Sequence, residues 1–192
     1  MANKGTESRA FVQLLLSLNS EPRKPLHMKT VTRSFDYQEY ASPDEMDPRD
    51  RELVQAARDA QKTSYAPYSG FNVGAAVRLE DGTIVKGSNQ ENSAYPSGLC
   101  AERTAMFAAS AAHPGKAMVS LAIVGGFARK IDDKPCSPCG ACRQVMAEYQ
   151  MAGKRPLSVI LSGAKKTLKF SCVDDILPFV FDSFYTESHP SR

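Results

Sequence analysis

Three cysteines and one glutamate in this chain have the spacing of a zinc site that keeps a position open for water. Cys100-Ala101-Glu102 sets a thiolate two residues before a carboxylate, and Pro138-Cys139-Gly140-Ala141-Cys142 follows with a Pro-Cys-x-x-Cys. Cys100, Cys139 and Cys142 supply three of the four ligands of tetrahedral zinc, so the fourth position is left for water. Zinc lowers the pKa of bound water from about 16 to about 7, which makes a nucleophile available at neutral pH. Glu102 is not a ligand in this reading; it takes a proton from the water and hands it on. Three thiolates on a dication leave one net negative charge, which weakens the metal as a Lewis acid. Arg103 is the next residue and offers the compensating cation. Helix starts at the ligands would also favour thiolate over thiol.

A closed structural site is the competing reading of the same residues. Pro135-Cys136-Ser137-Pro138-Cys139 is a second Pro-Cys-x-x-Cys register, and Cys136 could complete a four-cysteine set. The later register is preferred because Cys139 and Cys142 can then share a helical turn, whereas Pro138 inside the earlier pair prevents this. Cys136 is then a spare thiol nearby, and Cys172 a small core residue. None of His27, His113 and His189 stands at a ligand spacing, and all three are expected to be solvated.

The elements that must position these groups are legible as patterns. Asp47 suits a helix N-cap and Pro48 the first helical position. Leu53, Val54, Ala57 and Ala60 mark an apolar stripe to about Lys62. A Tyr/Pro/Ser/Gly loop covers 64–70. Val73, Ala75, Val77 and Leu79 alternate as a strand face does, Asp81-Gly82 signals a hairpin, and 84–89 return. The Ala- and Met-rich stretch 100–112 reads as a helix. Ser120 to Val124 is a continuous apolar run, expected of a central strand covered on both faces. The second cysteine pair opens a helix to about Met151. Strands are expected over 157–161 and 168–171, and a short helix over 174–177 stops at Pro178. The order predicts a three-layer α/β/α sandwich on a mixed sheet.

The chain has 192 residues, of which 42% are hydrophobic and 23% charged, with a net charge of +3. That is the profile of a single soluble domain, and the charge does not demand nucleic acid or an anionic membrane. No apolar run approaches the length of a membrane span. Five cysteines, three of them within seven residues, point to metal binding in a reducing, cytoplasmic compartment rather than to a disulfide framework. Residues 1–46 are read as an N-terminal extension with little order, 47–185 as the catalytic domain and 186–192 as a tail. Phe11 to Leu18 is a weak match to a signal-peptide core, with Gln13 inside it and no clear cleavage site. Met28 heads a segment that runs into the domain, so 1–27 are expected to be an upstream extension, a misassigned start being one explanation.

Three blocks carry a family resemblance. They are Tyr65-Ala-Pro-Tyr-Ser-Gly-Phe-Asn-Val-Gly-Ala-Ala76, Gly87 to Ala105 with Asn89-Gln90-Glu91 and Cys100-Ala101-Glu102-Arg103, and Ser137-Pro-Cys-Gly-Ala-Cys-Arg-Gln144. In combination, over roughly residues 48–185, the chain resembles the short, three-cysteine, homotetrameric cytidine deaminases. The resemblance implies a five-stranded deaminase core and one zinc per subunit. It implies conversion of cytidine and 2′-deoxycytidine to uridine and deoxyuridine, with Glu102 as acid and base and Arg103 on the ligand thiolates. It also implies that Asn89 and Glu91 hold the ribose, Phe71 packs on the pyrimidine, and the Ala101 N–H meets the base carbonyl. Tyr95 would lie in the pocket or a subunit interface. Leu177-Pro178-Phe179-Val180-Phe181 resembles the family's Leu-Pro-x-x-Phe, whose aromatic enters a neighbouring subunit's site. Phe181 takes that part, although the extra Phe179 leaves the assignment open between the two.

Three rivals stand beside this reading. One is a related zinc deaminase acting on an antibiotic nucleoside or another aminated heterocycle. Another is a polynucleotide-editing deaminase, disfavoured by Cys-x-Glu in place of His-x-Glu, by the absence of Trp, and by the lack of a basic-aromatic stripe. The third is a zinc-stabilised module without catalysis, against which the intact Glu102 argues.

Overall fold

The computed structural model describes residues 28–182. The chain divides into two units, Met1–Ser34 and Phe35–Arg192. Of the first, the described residues 28–34 are exposed and form no helix or strand. The match to a signal-peptide core, His27, His189 and the tail at 186–192 lie outside the described residues.

The second unit is built on one mixed sheet. In chain order its elements are β1 (Tyr37–Tyr40), α1 (Pro48–Gln61), β2 (Phe71–Leu79), β3 (Ile84–Ser88), α2 (Ala101–Ala112), β4 (Met118–Phe127), α3 (Gly140–Ala152), β5 (Ser158–Ser162) and β6 (Thr167–Phe170). The expected short helix near 174 is a 3-10 turn over Val173–Asp175. The strand order is β1-β6-β5-β4-β2-β3, with β4 and β5 parallel and every other neighbouring pair antiparallel.

The sheet has six strands, not the expected five. The sixth is β1, whose Tyr37 stands opposite Phe170 of β6. It lies inside the stretch 1–46 read as an extension, so order begins before Asp47. Nothing in Tyr-Gln-Glu-Tyr announces a buried strand, because it sits at the sheet edge with mostly exposed side chains. Its tie to the core is aromatic: the Tyr37 and Phe170 rings lie 5.5 Å apart between centroids.

Period-two alternation sorts the sheet into two cores. Ala76, Ala122, Val124 and Ile160 face α1, where they meet Leu53, Val54 and Ala57. Ala75, Val77, Leu121, Ile123, Val159 and Leu161 face the other way, onto Ala105, Met106 and Ala109 of α2 and Met146 and Ala147 of α3. β4 is therefore covered on both sides, as its continuous apolar run requires. α1 starts as its sequence dictates, with the Asp47 carboxylate accepting from the Arg49 N–H at 2.8 Å and Pro48 in the first turn.

Topology then brings the chemistry to one end of the sheet. β3 and β4 are both antiparallel to β2, so they run the same way. The helices that follow them, α2 and α3, must begin at the same end of the sheet, beyond the strands' carboxyl ends. Two glycines admit helix backbones at close range. A Cβ on Gly87 would stand 2.3 Å from the Ala105 nitrogen of α2, and one on Gly74 would stand 2.1 Å from the Ala57 oxygen of α1.

These contacts yield a paired prediction. Gly87→Ala and Gly74→Ala should each lose on the order of 3 kcal/mol in denaturant unfolding, as overpacking does. Only Gly87→Ala, which pushes on the helix that starts at Cys100, should also reduce zinc bound per folded chain at limiting free zinc. Equal zinc affinity in the two variants would contradict that packing role.

Candidate active site

The two helix starts deliver the sulfurs. Cys100 is the N-cap of α2 and Cys139 the N-cap of α3, and neither side chain caps its own helix. Cys142 sits one turn into α3 and is buried. The Cys100 and Cys139 sulfurs are 3.8 Å apart, and those of Cys139 and Cys142 are 3.5 Å apart. Tetrahedral zinc with Zn–S bonds of about 2.3 Å demands sulfurs about 3.8 Å from one another. All three sulfurs lie within 4.8 Å of one another, and Cys136 is not part of the group. The donor set thus fits zinc in the later cysteine register, with three protein ligands rather than four. The Cys136 thiol is instead pushed up to about 11, chiefly by burial.

Electrostatics around the sulfurs follow the same logic. The Cys100 thiol is held down at about 5, first by a hydrogen bond from Cys142 and then by Arg103. That hydrogen bond and burial push Cys142 up. The Arg103 Nη2 lies 3.8 Å from the Cys100 sulfur. A dication within bonding distance would displace the proton that Cys142 holds.

Glu102 is the second residue of α2 and only 4% exposed. Burial, with the charge on Cys100 adding to it, raises its carboxyl above the ordinary carboxylate range. A nearby dication would act in the opposite sense and favour the carboxylate. Ala101, the first residue of the helix, is fully buried. Its N–H belongs to the first turn, where no intrahelical acceptor exists.

Beside the cluster lies a cavity of about 450 Å³, lined among others by Tyr68, Asn89, Glu91, Tyr95, Cys100 and Arg103. Here the structure adds detail the sequence did not carry. Asn89 is 9% exposed, and its amide is bonded at both ends to β2: Oδ1 accepts from the Val73 N–H at 2.8 Å, and Nδ2 donates to the Phe71 carbonyl at 2.9 Å. Glu91 accepts from the Tyr68 and Ser69 N–H groups and from the Ser69 hydroxyl. These bonds hold its carboxyl below the ordinary range, the Ser69 hydroxyl most of all. Phe71 is half-buried and does not line the cavity; its ring lies edge-on to Phe127 at 5.0 Å between centroids. Tyr95 is 73% exposed and lies edge-on to Tyr68.

The C-terminal aromatics stand apart from the cavity lining. Phe179 is 90% and Phe181 62% exposed. The Gln144 side chain pairs with both backbone groups of Phe181, donating to its carbonyl at 2.8 Å and accepting from its N–H at 3.1 Å. Arg143 donates to the Pro138 and Ile176 carbonyls. Sequence reasoning missed Tyr68, Ser69 and Gln144 as site-forming residues. Tyr68 and Ser69 fall in the first of the three blocks, but a Tyr-Ser-Gly run reads locally as turn chemistry, and no local pattern says that Gln144 reaches 37 residues along the chain.

Residues 47–154 match the model of the cytidine and deoxycytidylate deaminase zinc-binding region. The cytidine deaminase of Sporosarcina psychrophila is 43% identical over 129 residues, covering 67% of this chain and 88% of the relative. The cytidine deaminase of Halalkalibacterium halodurans is 39% identical over 129 residues, covering 67% and 91%. The solved structure of the Burkholderia pseudomallei cytidine deaminase superposes with a TM-score of 0.58 at 42% identity, covering 68% of this chain and 97% of that one.

Metal content tests the ligand set. Serine at Cys100, Cys139 or Cys142 should each abolish stoichiometric zinc in the purified protein, and serine at Cys136 should leave it intact. Binding must displace the proton that Cys142 holds, so apparent zinc affinity should fall by about tenfold per pH unit for each proton displaced as pH is lowered. A pH-independent affinity, or zinc loss on Cys136→Ser, would contradict this assignment.

Proposed function

The chain belongs to the cytidine and deoxycytidylate deaminase zinc-binding family, and from that premise we propose that it hydrolyses cytidine and 2′-deoxycytidine to uridine and deoxyuridine with release of ammonia. The observation that carries the reading is the three-sulfur cluster at zinc spacing with a buried carboxylate in the adjoining helical turn and a nucleoside-sized cavity beside it. Zinc held by Cys100, Cys139 and Cys142 supplies the Lewis acidity that makes water nucleophilic at neutral pH.

The protein's own groups do the rest. Glu102 accepts the water proton, delivers it to the pyrimidine N3, then carries the hydroxyl proton to the departing amine at C4. Its burial supports this role, because a desolvated carboxyl exchanges protons more readily near neutral pH than an exposed one. Arg103 and the starts of α2 and α3 offset the thiolate charge. Asn89 and Glu91 receive the sugar, Phe71 packs on the base, and the Ala101 N–H meets the base carbonyl. Tyr95 closes the pocket mouth. Fixing sugar and base together turns binding energy into orientation at C4.

The proposed catalytic body is 47–185, with the assembly a homotetramer whose sites are shared. Phe181 of one subunit would reach a neighbour's base. Its support is the pair of exposed aromatics at 179 and 181 on a segment that Gln144 clamps in place. The more exposed alternative, Phe179, is the second candidate. No described helix is long and apolar enough to cross a membrane. The free state of all five cysteines is consistent with a cytoplasmic setting.

Loss of cytidine absorbance at about 280–290 nm tests the reaction. Wild type should turn over, and Glu102→Ala at equal zinc content should be slower by at least about 100-fold in kcat. If both proteins bind zinc and neither acts on cytidine, the substrate assignment fails and other aminated heterocycles take its place. Light scattering should give the mass of four chains, while a one-chain mass at working concentration would contradict shared sites.

A further inference from the structure

The Ser69 hydroxyl stands between the two parts of the proposed pocket. It donates to Glu91 Oε1 at 2.5 Å and accepts from the Phe71 N–H at 3.0 Å. A serine hydroxyl has one proton and two lone pairs, so it serves both partners at once. Phe71 is then framed on both backbone groups: its N–H by Ser69 and its carbonyl by Asn89. The other carboxylate oxygen of Glu91 takes the N–H groups of Tyr68 at 2.9 Å and Ser69 at 3.2 Å.

An ionised carboxylate offers about four lone-pair sites. Two N–H groups and one hydroxyl occupy three of those of Glu91, which leaves about one for an incoming hydroxyl. The loop over 68–71 therefore fixes how the carboxylate is turned and how many sugar hydroxyls it can take.

We propose that Ser69 is a positioning residue that couples sugar recognition at Glu91 to placement of the Phe71 ring, so that one hydroxyl orients both. The inference rests on the cytidine reading above and deepens it. Ser69 touches neither the metal ligands nor the reacting carbon; it acts through Glu91 and Phe71. Its loss should weaken nucleoside binding and leave the chemical step almost untouched. Glu91 without Ser69 can rotate, and Ser69 without Glu91 keeps only the Phe71 N–H, so the two should act largely as one unit.

Steady-state kinetics on cytidine with Ser69→Ala, Ser69→Thr, Glu91→Ala and the Ser69→Ala/Glu91→Ala double variant test this. Ser69→Ala should raise KM about tenfold, in line with loss of a hydrogen bond to a charged group, while kcat stays within about threefold. Ser69→Thr, which keeps the hydroxyl, should recover KM to within about threefold. The double variant should be no more than about threefold worse than Glu91→Ala alone. Ser69 is exposed, so unfolding midpoints should stay within about 3 °C of wild type. A Ser69→Ala KM within about twofold of wild type, a threonine that behaves as alanine, or penalties that simply multiply would each overturn the inference while the functional reading stands. Absence of cytidine turnover by the wild-type protein would overturn the reading and this inference together.

Discussion

Three sulfurs must stand about 3.8 Å apart for zinc to bind tetrahedrally, and no single element of this protein can arrange that. Cys100 comes from the start of α2 and Cys139 and Cys142 from the start of α3. The distance from the Cys100 sulfur to the other two is therefore fixed by how two helices pack on one face of the sheet. Gly87 lets the α2 backbone approach, and Met106 and Met146 are fully buried between the layers. Apolar burial of this kind contributes about 2–3 kcal/mol per side chain, and here it also sets the geometry of the metal site. Helix starts at the ligands add a favourable field for thiolate at no further structural cost.

Polar ties perform the equivalent task at the substrate side. The amide of Asn89 and the carboxylate of Glu91 are bonded to the segment that carries Phe71. Residues that would read a sugar thus also tie down the backbone over 68–73. Such double use is economical physically, because a buried amide with both ends satisfied avoids an unpaired-group penalty of about 1–3 kcal/mol and presents only its remaining valences to a ligand. Gln144 repeats the device on Phe181, two residues beyond a metal ligand on the same helix.

Much of this was legible in the chain because the relevant signals are local. Asp47-Pro48 marks a cap, Val73 to Leu79 alternates, and Cys-x-x-Cys across a helix start places two sulfurs on one turn. The preferred register was also a local matter, since Pro138 bars Cys136 from sharing that turn. What escaped was long-range or edge-bound. β1 is an exposed four-residue strand with no apolar alternation, and its place beside β6 depends on a pairing across 130 residues or so of chain. The bonds of Glu91 to Ser69 and of Gln144 to Phe181 join segments 22 and 37 residues apart. Side-chain partners at that range follow from the assembled fold, not from composition or periodicity.

The central claim is a zinc held by three cysteines, with one position left for the attacking water. X-ray absorption at the zinc edge of the loaded protein tests it most directly. The account predicts three sulfur neighbours at about 2.3 Å and one oxygen or nitrogen neighbour at about 2.0–2.2 Å. Four sulfur neighbours would contradict it, since Cys136 would then close the site and the metal would be structural.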